Sequence, residues 1–325
     1  MKAAADLPVK PAEQKLVGAV RWLYRRIRKL VFPRIGVLNQ YSAKALRTRS
    51  QPPLTADPSS LPKISLVTPS YQQGPFLRDS IESVLNQSYP FLEYIVKDGG
   101  STDGSLSILS EFENRLSGWS SAPDRGQAHA INQAFQHTSG EVMGWLNSDD
   151  MLLPGSLYRV ADFFRRRPEV SVVYGNRILV DERGLEIGRW ILPQHDAEVL
   201  RWMDYVPQET LFWRRSAWEA VGGCLDESLQ FALDWDFLLR LQDVSARFAR
   251  LPHFLGAFRV HTQQKTSAQM DSVGAEEIAA LRRRYLGFNP SQKQVNRRVM
   301  WYLCRHLAEH TKISLKSWID TSQSL

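Results

Sequence analysis

The sequence predicts an α/β protein with a mostly parallel sheet flanked by helices. Three short β-rich runs carry that prediction: Ile64 to Thr68, Tyr94 to Lys97 and Val142 to Leu146. Helical patterns separate them, over 76–86, 105–116 and 126–138. Strands and helices that alternate in this way need crossover connections, and crossovers cover both faces of a parallel sheet. At 325 residues and 43% hydrophobic content the chain can bury one large core or two modest ones.

Taken in order, the chain opens with a basic leader. Lys15 to Ala56 holds ten Lys or Arg and no acid, so a net charge of +7 leaves about −3 for everything else. Within it, residues 14–32 repeat Leu16, Val20, Leu23, Ile27 and Leu30 at helical spacing beside Arg21, Arg25 and Arg28. That pattern, with Trp22 and Phe32, suits a helix lying on an anionic membrane surface. Charge alone would also permit nucleic acid, but no reading motif is present, so no nucleic-acid partner is expected. The expected divisions are an extension at 1–49, a Pro- and Ser-rich linker at 50–62, a catalytic domain at 63–265 and a helical C-terminal extension at 266–325.

Further strands are expected at Val170 to Tyr174, Arg177 to Val180 and Thr210 to Phe212, and a helix from about Trp235 to Val244. Cys224 and Cys304 lack metal-ligand spacing, and no uncharged apolar run approaches bilayer length. The expected location is cytoplasmic, peripheral on the inner face of the cell membrane.

Ligands gather at the carboxyl ends of strands in such sheets. Three consecutive strand ends carry Thr68-Pro-Ser-Tyr71, Asp98-Gly-Gly-Ser-Thr-Asp103 and Asn147-Ser-Asp-Asp150. Small hydroxyls, glycines and carboxylates brought together in this way suit a nucleotide and a cation. A dinucleotide fingerprint is missing from the first turn, which argues against a dehydrogenase. That turn also lacks the glycine-rich, basic loop a nucleotidyltransferase would use on a triphosphate.

These blocks resemble the family 2 glycosyltransferases. So do Ser83-Val-Leu-Asn-Gln-Ser-Tyr-Pro90, Ala122-Pro-Asp-Arg-Gly-Gln127, Gly222-Gly-Cys-Leu-Asp-Glu227 and Asp234-Trp-Asp-Phe-Leu-Leu-Arg240. The resemblance covers roughly residues 63–262 and implies the GT-A fold, with helical extensions at either end of this chain. It implies a nucleotide pocket of Pro69, Tyr71, Asp98, Asp124, Arg125, Asn147 and Ser148, with Asp98 accepting from a base N–H. Uracil or thymine N3 and guanine N1 all offer one, and UDP is favoured. Asp149 takes the place of the carboxylate that binds Mn²⁺ or Mg²⁺, and His261 that of a histidine near the metal; Arg259 is an alternative phosphate contact. Asn147 and Gly99 stand where the family often has Asp.

By the same resemblance Asp234 is the base that accepts the acceptor's proton in an inverting displacement, with Asp236 as substitute. Gln208, Glu209, Trp235 and Asp236 are expected near the acceptor, and Trp213 is a candidate for stacking on a sugar. The acceptor is expected to be a glycan or a lipid-linked sugar of a bacterial surface polymer. The rival reading is a non-catalytic nucleotide-sugar binder or a membrane-tethered scaffold of the same fold.

Overall fold

The computed structural model describes residues 37–38, 40–47, 60–262, 264 and 273–322, the last ten without their side chains. The segment over 14–32 and most of the expected linker lie outside the described residues.

The first half alternates as the pattern requires: β1 (Ile64–Ser70), α1 (Gly74–Leu85), β2 (Leu92–Asp98), α2 (Ser105–Phe112), β3 (Gly118–Ser121), α3 (Gln127–Phe135) and β4 (Val142–Trp145). β5 (Met151–Leu152), α4 (Ser156–Arg166), β6 (Val172–Val180), β7 (Glu186–Trp190) and α5 (Ala197–Leu200) follow. A 3₁₀ turn at Gln208–Thr210 leads into β8 (Phe212–Arg214), α6 (Arg215–Ala220), α7 (Leu233–Asp243) and β9 (Phe248–Arg259). Two helices, α8 (Ala275–Leu286) and α9 (Gln292–Ser322), end the described chain.

One nine-stranded sheet runs in the order β3-β2-β1-β4-β8-β6-β9-β5, with β7 beside β6. The four strands β3, β2, β1 and β4 are parallel. Beyond them the sheet is mixed: β8 is antiparallel to β4 and β6, while β9 runs parallel to β6. The parallel character expected for the sheet therefore belongs to its first half.

Two apolar cores sandwich this sheet. Leu66 and Ile64 of β1 face α1 residues Leu77 and Ile81, whereas Val67 faces α3 residues Ile131 and Phe135. β4 splits likewise, Val142 to the first core and Met143 and Trp145 to the second. This two-sided burial explains the near-continuous apolar strands.

Several elements depart from expectation, β3, β5 and β7 being additional strands, and two departures shape the second half of the sheet. The strands expected at 170–174 and 177–180 form the single β6, which shifts register against β9 around Asn176. Gly175 permits the close passage, since a Cβ there would lie 2.5 Å from Leu255 Cγ. β9 was not expected, because Pro252 and Gly256 break its pattern; the same irregularity lets the strand carry a proline.

The flanking segments are part of the body. Tyr41 donates a hydrogen bond to the buried Glu186 carboxylate, and the Trp190 indole N–H donates to the Val37 carbonyl. Leu281 of α8 and Val295, Val299 and Tyr302 of α9 enter the second core. Among the described residues no helix is long and apolar enough to cross a membrane.

Candidate active site

The register of the parallel strands sets four strand ends side by side. Ser70 pairs with Asp98 and Asp98 with Ser121, while Val67 lies opposite Trp145. The turns that follow line a first cavity of about 600 Å³ with Pro69, Tyr71, Gly99, Asp124, Ser148 and Asp149. Asn147 joins them.

Asp98 is not in that lining. It is fully buried, and its Oδ2 accepts from the N–H groups of Gly100 (3.1 Å) and Ser101 (2.8 Å) and from Ser121 Oγ (2.6 Å). Its Oδ1 accepts from Ser101 Oγ at 2.6 Å. Four donors turn the carboxylate into the pin of its own loop, so the expected direct contact with a base is corrected. Asp124 is the carboxylate that reaches the cavity: its Oδ1 accepts from Gly126 N–H at 2.7 Å. Its Oδ2 would lie 2.9 Å from a Cβ on Gly99, which would also crowd Tyr71 at 3.2 Å. The glycine at position 99 thus makes room for Asp124.

Arg125 also departs from expectation. Its exposed guanidinium pairs with Glu227 at 2.5 Å and does not line the cavity.

His261 Nε2 lies 3.0 Å from Asp149 Oδ2, Asp149 being the member of the pair that lines the cavity. His261 is buried, and its ring packs on Phe76 at 4.7 Å between centroids. Arg259 fixes this corner from behind. Its side chain donates to the Asp149 and Glu182 carbonyls and to Asp79 Oδ2, and its N–H donates to Asp150 Oδ1. With 1% of its surface exposed, Arg259 is a structural guanidinium and not the phosphate contact considered from the sequence. Among the described residues no group of three or more metal-ligating side chains occurs. Asp149 lines the cavity and the buried His261 backs it through the Nε2–Oδ2 contact; an oxygen and a nitrogen donor of this kind fit a hard or borderline divalent ion completed by diphosphate oxygens.

A second cavity of about 600 Å³ adjoins the first, sharing Asn147, Gln127 and Phe258 with it. Gln127 Nε2 donates to Asn147 Oδ1 at 2.7 Å across that junction. Asp234 lines the second cavity from the first turn of α7, and its Oδ1 accepts from Trp235 N–H at 2.8 Å.

Gln208, Glu209 and Trp235 line this cavity. Gln208 Nε2 donates to the Trp145 carbonyl at 2.8 Å, leaving its buried Oε1 without a partner. Glu209 holds Arg177 in a two-pronged ion pair, with Arg177 Nε donating at 2.8 Å. Burial works against the Arg177 charge, but Glu209 outweighs it and raises its pKa. Gly256 lets Glu209 in, since a Cβ there would lie 2.5 Å from Glu209 Cγ. Trp235 is largely core, its indole N–H donating to the Leu200 carbonyl.

Asp236 and Trp213 are corrected. Asp236 is 1% exposed and paired with Arg240 (2.7 Å) and Arg284 (3.4 Å), outside the cavity lining. One helical residue beyond Trp235, it points into the protein. Trp213 is fully buried among Trp145, Trp218 and Phe237.

Asp204, Arg177, Arg282 and Leu38, none of them marked by a motif, also line the second cavity. Burial and then the Asp234 charge push the Asp204 carboxyl well above its ordinary value, against the Val206 N–H that it accepts at 3.1 Å. The only readable hint was polarity in otherwise apolar stretches.

Comparison with known proteins agrees with this geometry. Residues 65–224 match the model of glycosyl transferase family 2. The chain is 31% identical over 198 residues to the O-antigen biosynthesis protein RfbC of Myxococcus xanthus, covering 59% of this chain and 15% of that one. It is 30% identical over 187 residues to the uncharacterized glycosyltransferase Rv1514c of Mycobacterium tuberculosis, covering 56% of this chain and 70% of the relative. Residues 1–349 of S. aureus TarS, solved with UDP-GlcNAc, superpose with a TM-score of 0.56 at 18% identity, over 76% of this chain and 73% of that one. The mannosyltransferase PcManGT of Pyrobaculum calidifontis, solved with GDP-Man and Mn²⁺, gives 0.55 at 16% identity, over 95% and 88%. The fold is thus the GT-A fold of such enzymes. With a relative of the same kind matched over most of its length and the family's strand ends assembled around one pair of cavities, the chain belongs to the family 2 glycosyltransferases.

Proposed function

We propose that the protein transfers a sugar from a nucleoside diphosphate, UDP favoured, to an acceptor hydroxyl of a bacterial surface glycan, with inversion at the anomeric carbon. The observation that carries this reading is the junction of the two cavities. Asp149, with His261 against it, lines one, Asp234 lines the other, and Asn147 and Gln127 line both.

In this reading Tyr71 and Pro69 take the base, and Asp124 Oδ2 accepts from its N–H. Ser148 and Asn147 orient the ribose and diphosphate. Asp149 and His261 would hold Mn²⁺ or Mg²⁺, which when bound offsets the charge growing on the departing diphosphate. Asp234 accepts the proton of the acceptor hydroxyl as the new C–O bond forms and the anomeric C–O bond to phosphate breaks. A carboxylate cannot deprotonate a free alcohol beforehand, so the transfer is concerted with attack. The hydroxyl reaches the sugar from the face opposite the diphosphate, which inverts the centre. Glu209, tied to Arg177, and Gln208 with its unpartnered Oε1 are placed to bind acceptor hydroxyls.

The relatives' printed roles in O-antigen and chondroitin synthesis support a polysaccharide or lipid-linked acceptor. The basic segment over 14–32 supports a place on the inner membrane face. The test is calorimetric binding of UDP, dTDP and GDP with and without Mn²⁺. Metal-dependent binding of one nucleotide supports the reading; binding of none by folded protein sinks it.

A further inference from the structure

Helix α9 spans 31 residues, about 46 Å at the usual helical rise. One face is committed to the core through Val295, Val299, Tyr302, Leu303 and His306. On the opposite face, Lys293, Arg297, Trp301 and Arg305 recur every four residues, all exposed. That spacing stacks them along one side of the helix. Trp301 has 80% of its surface exposed, far more than any other large hydrophobic among the described residues.

The charge of this helix is one-sided. Between 292 and 312 it has five Lys or Arg and a single acid, Glu309, which already accepts a hydrogen bond from Lys312 at 3.0 Å. Arg305 is partly neutralised by Asp196 at 2.6 Å. Lys293 and Arg297, which flank Trp301 on the N-terminal side, make no ion pair among the described residues. Helix α8 carries the exposed Arg283, while its Ile278 and Arg282 form part of the wall of the second cavity.

An indole left in water amid unneutralised cations is costly unless something meets both. An anionic bilayer does so: the ring lies at the headgroup boundary, and the cations meet lipid phosphates. We propose that the exposed face of α9 docks on an anionic lipid surface, with Trp301 seated among the headgroups and Lys293 and Arg297 against the phosphates. The contact is shallow, because the apolar face of α9 is spent on the protein's own core. It sets the α8 wall of the second cavity beside the membrane. The proposal does not depend on the reaction, nor on the segment over 14–32.

The test uses the full chain in a Cys224→Ser, Cys304→Ser background with Trp301→Cys carrying an environment-sensitive nitrobenzoxadiazole label. Vesicles of phosphatidylcholine with about one-third phosphatidylglycerol, a strongly anionic surface, are compared with pure phosphatidylcholine. The expected result is a blue shift and rise in emission on the anionic vesicles and neither on the neutral ones. Lys293→Glu/Arg297→Glu should weaken the vesicle dependence of that signal at least roughly tenfold. An unchanged circular-dichroism melt shows that this variant is folded. Co-sedimentation with anionic vesicles without a change at position 301 would overturn the proposal, since another segment would then be the anchor. So would a label that shifts on protein self-association without lipid, or equal signals on both kinds of vesicle.

Discussion

Asp149 and His261 are 112 residues apart in sequence, yet His261 Nε2 lies 3.0 Å from Oδ2 of Asp149, which lines the first cavity. The end of β4 supplies one and the residues after β9 the other, with Arg259 locking the two chains together through the Asp149 carbonyl.

Replacing either member should cost metal-assisted binding. Asp149→Ala and His261→Ala are each expected to weaken Mn²⁺-dependent nucleotide binding by tenfold or more, on the order of 1.4 kcal/mol. Metal-free binding should change little. Titration calorimetry with and without Mn²⁺ reads both terms.

Asp234→Asn should leave nucleotide affinity intact and lower kcat by roughly 10²–10⁴-fold, the usual reach of a positioned general base. A variant that retains turnover would pass the role to another carboxylate of the second cavity, Asp204 being the one beside it.

Glu209→Ala should destabilise the fold by about 3–5 kcal/mol, because it leaves the buried Arg177 charge without its partner. Arg177→Met together with Glu209→Gln should cost less than the single change. Urea unfolding midpoints at fixed slope make the comparison.

The raised Asp204 pKa sets a pH dependence of stability. A carboxyl whose native pKa lies above its unfolded value contributes fully below the ordinary value of 3.8. That contribution is lost as pH rises toward and through the native value. Asp204→Asn keeps an oxygen for the Val206 N–H but cannot ionise. Relative to wild type, the variant should therefore gain stability as the pH is raised from acid to neutral, as urea midpoints at several pH values would read.

Gly99→Asp should weaken nucleotide binding. Its Cβ would meet Asp124 Oδ2 at 2.9 Å and Tyr71 at 3.2 Å, and two carboxylates would share one side of the cavity. Unchanged affinity would show that Asp124 gives way.

Much of the first half was legible from sequence. Its strand ends recur at a regular rhythm, local patterns of alternation and turn chemistry set them, and in a parallel sheet those ends must lie together. That was enough to bring Pro69, Tyr71, Asp124, Asn147, Ser148 and Asp149 to one cavity. Pattern did not extend to β9, where Pro252 and Gly256 break the period and only pairing with β6 makes a strand.

The sequence by itself determined the fold class, the family and which segments carry polar groups at strand ends, because these follow from local periodicity and ordered motifs. The tertiary structure decided which of those groups face a cavity. Asp98 and Asp124 look alike in sequence, but four donors close around the first and leave the second at the wall. Asp234 and Asp236 share one helical turn, yet Arg240 and Arg284 claim only Asp236. A carboxylate's direction depends on partners distant in sequence, here up to 48 residues away, and such partners come together only when the chain packs.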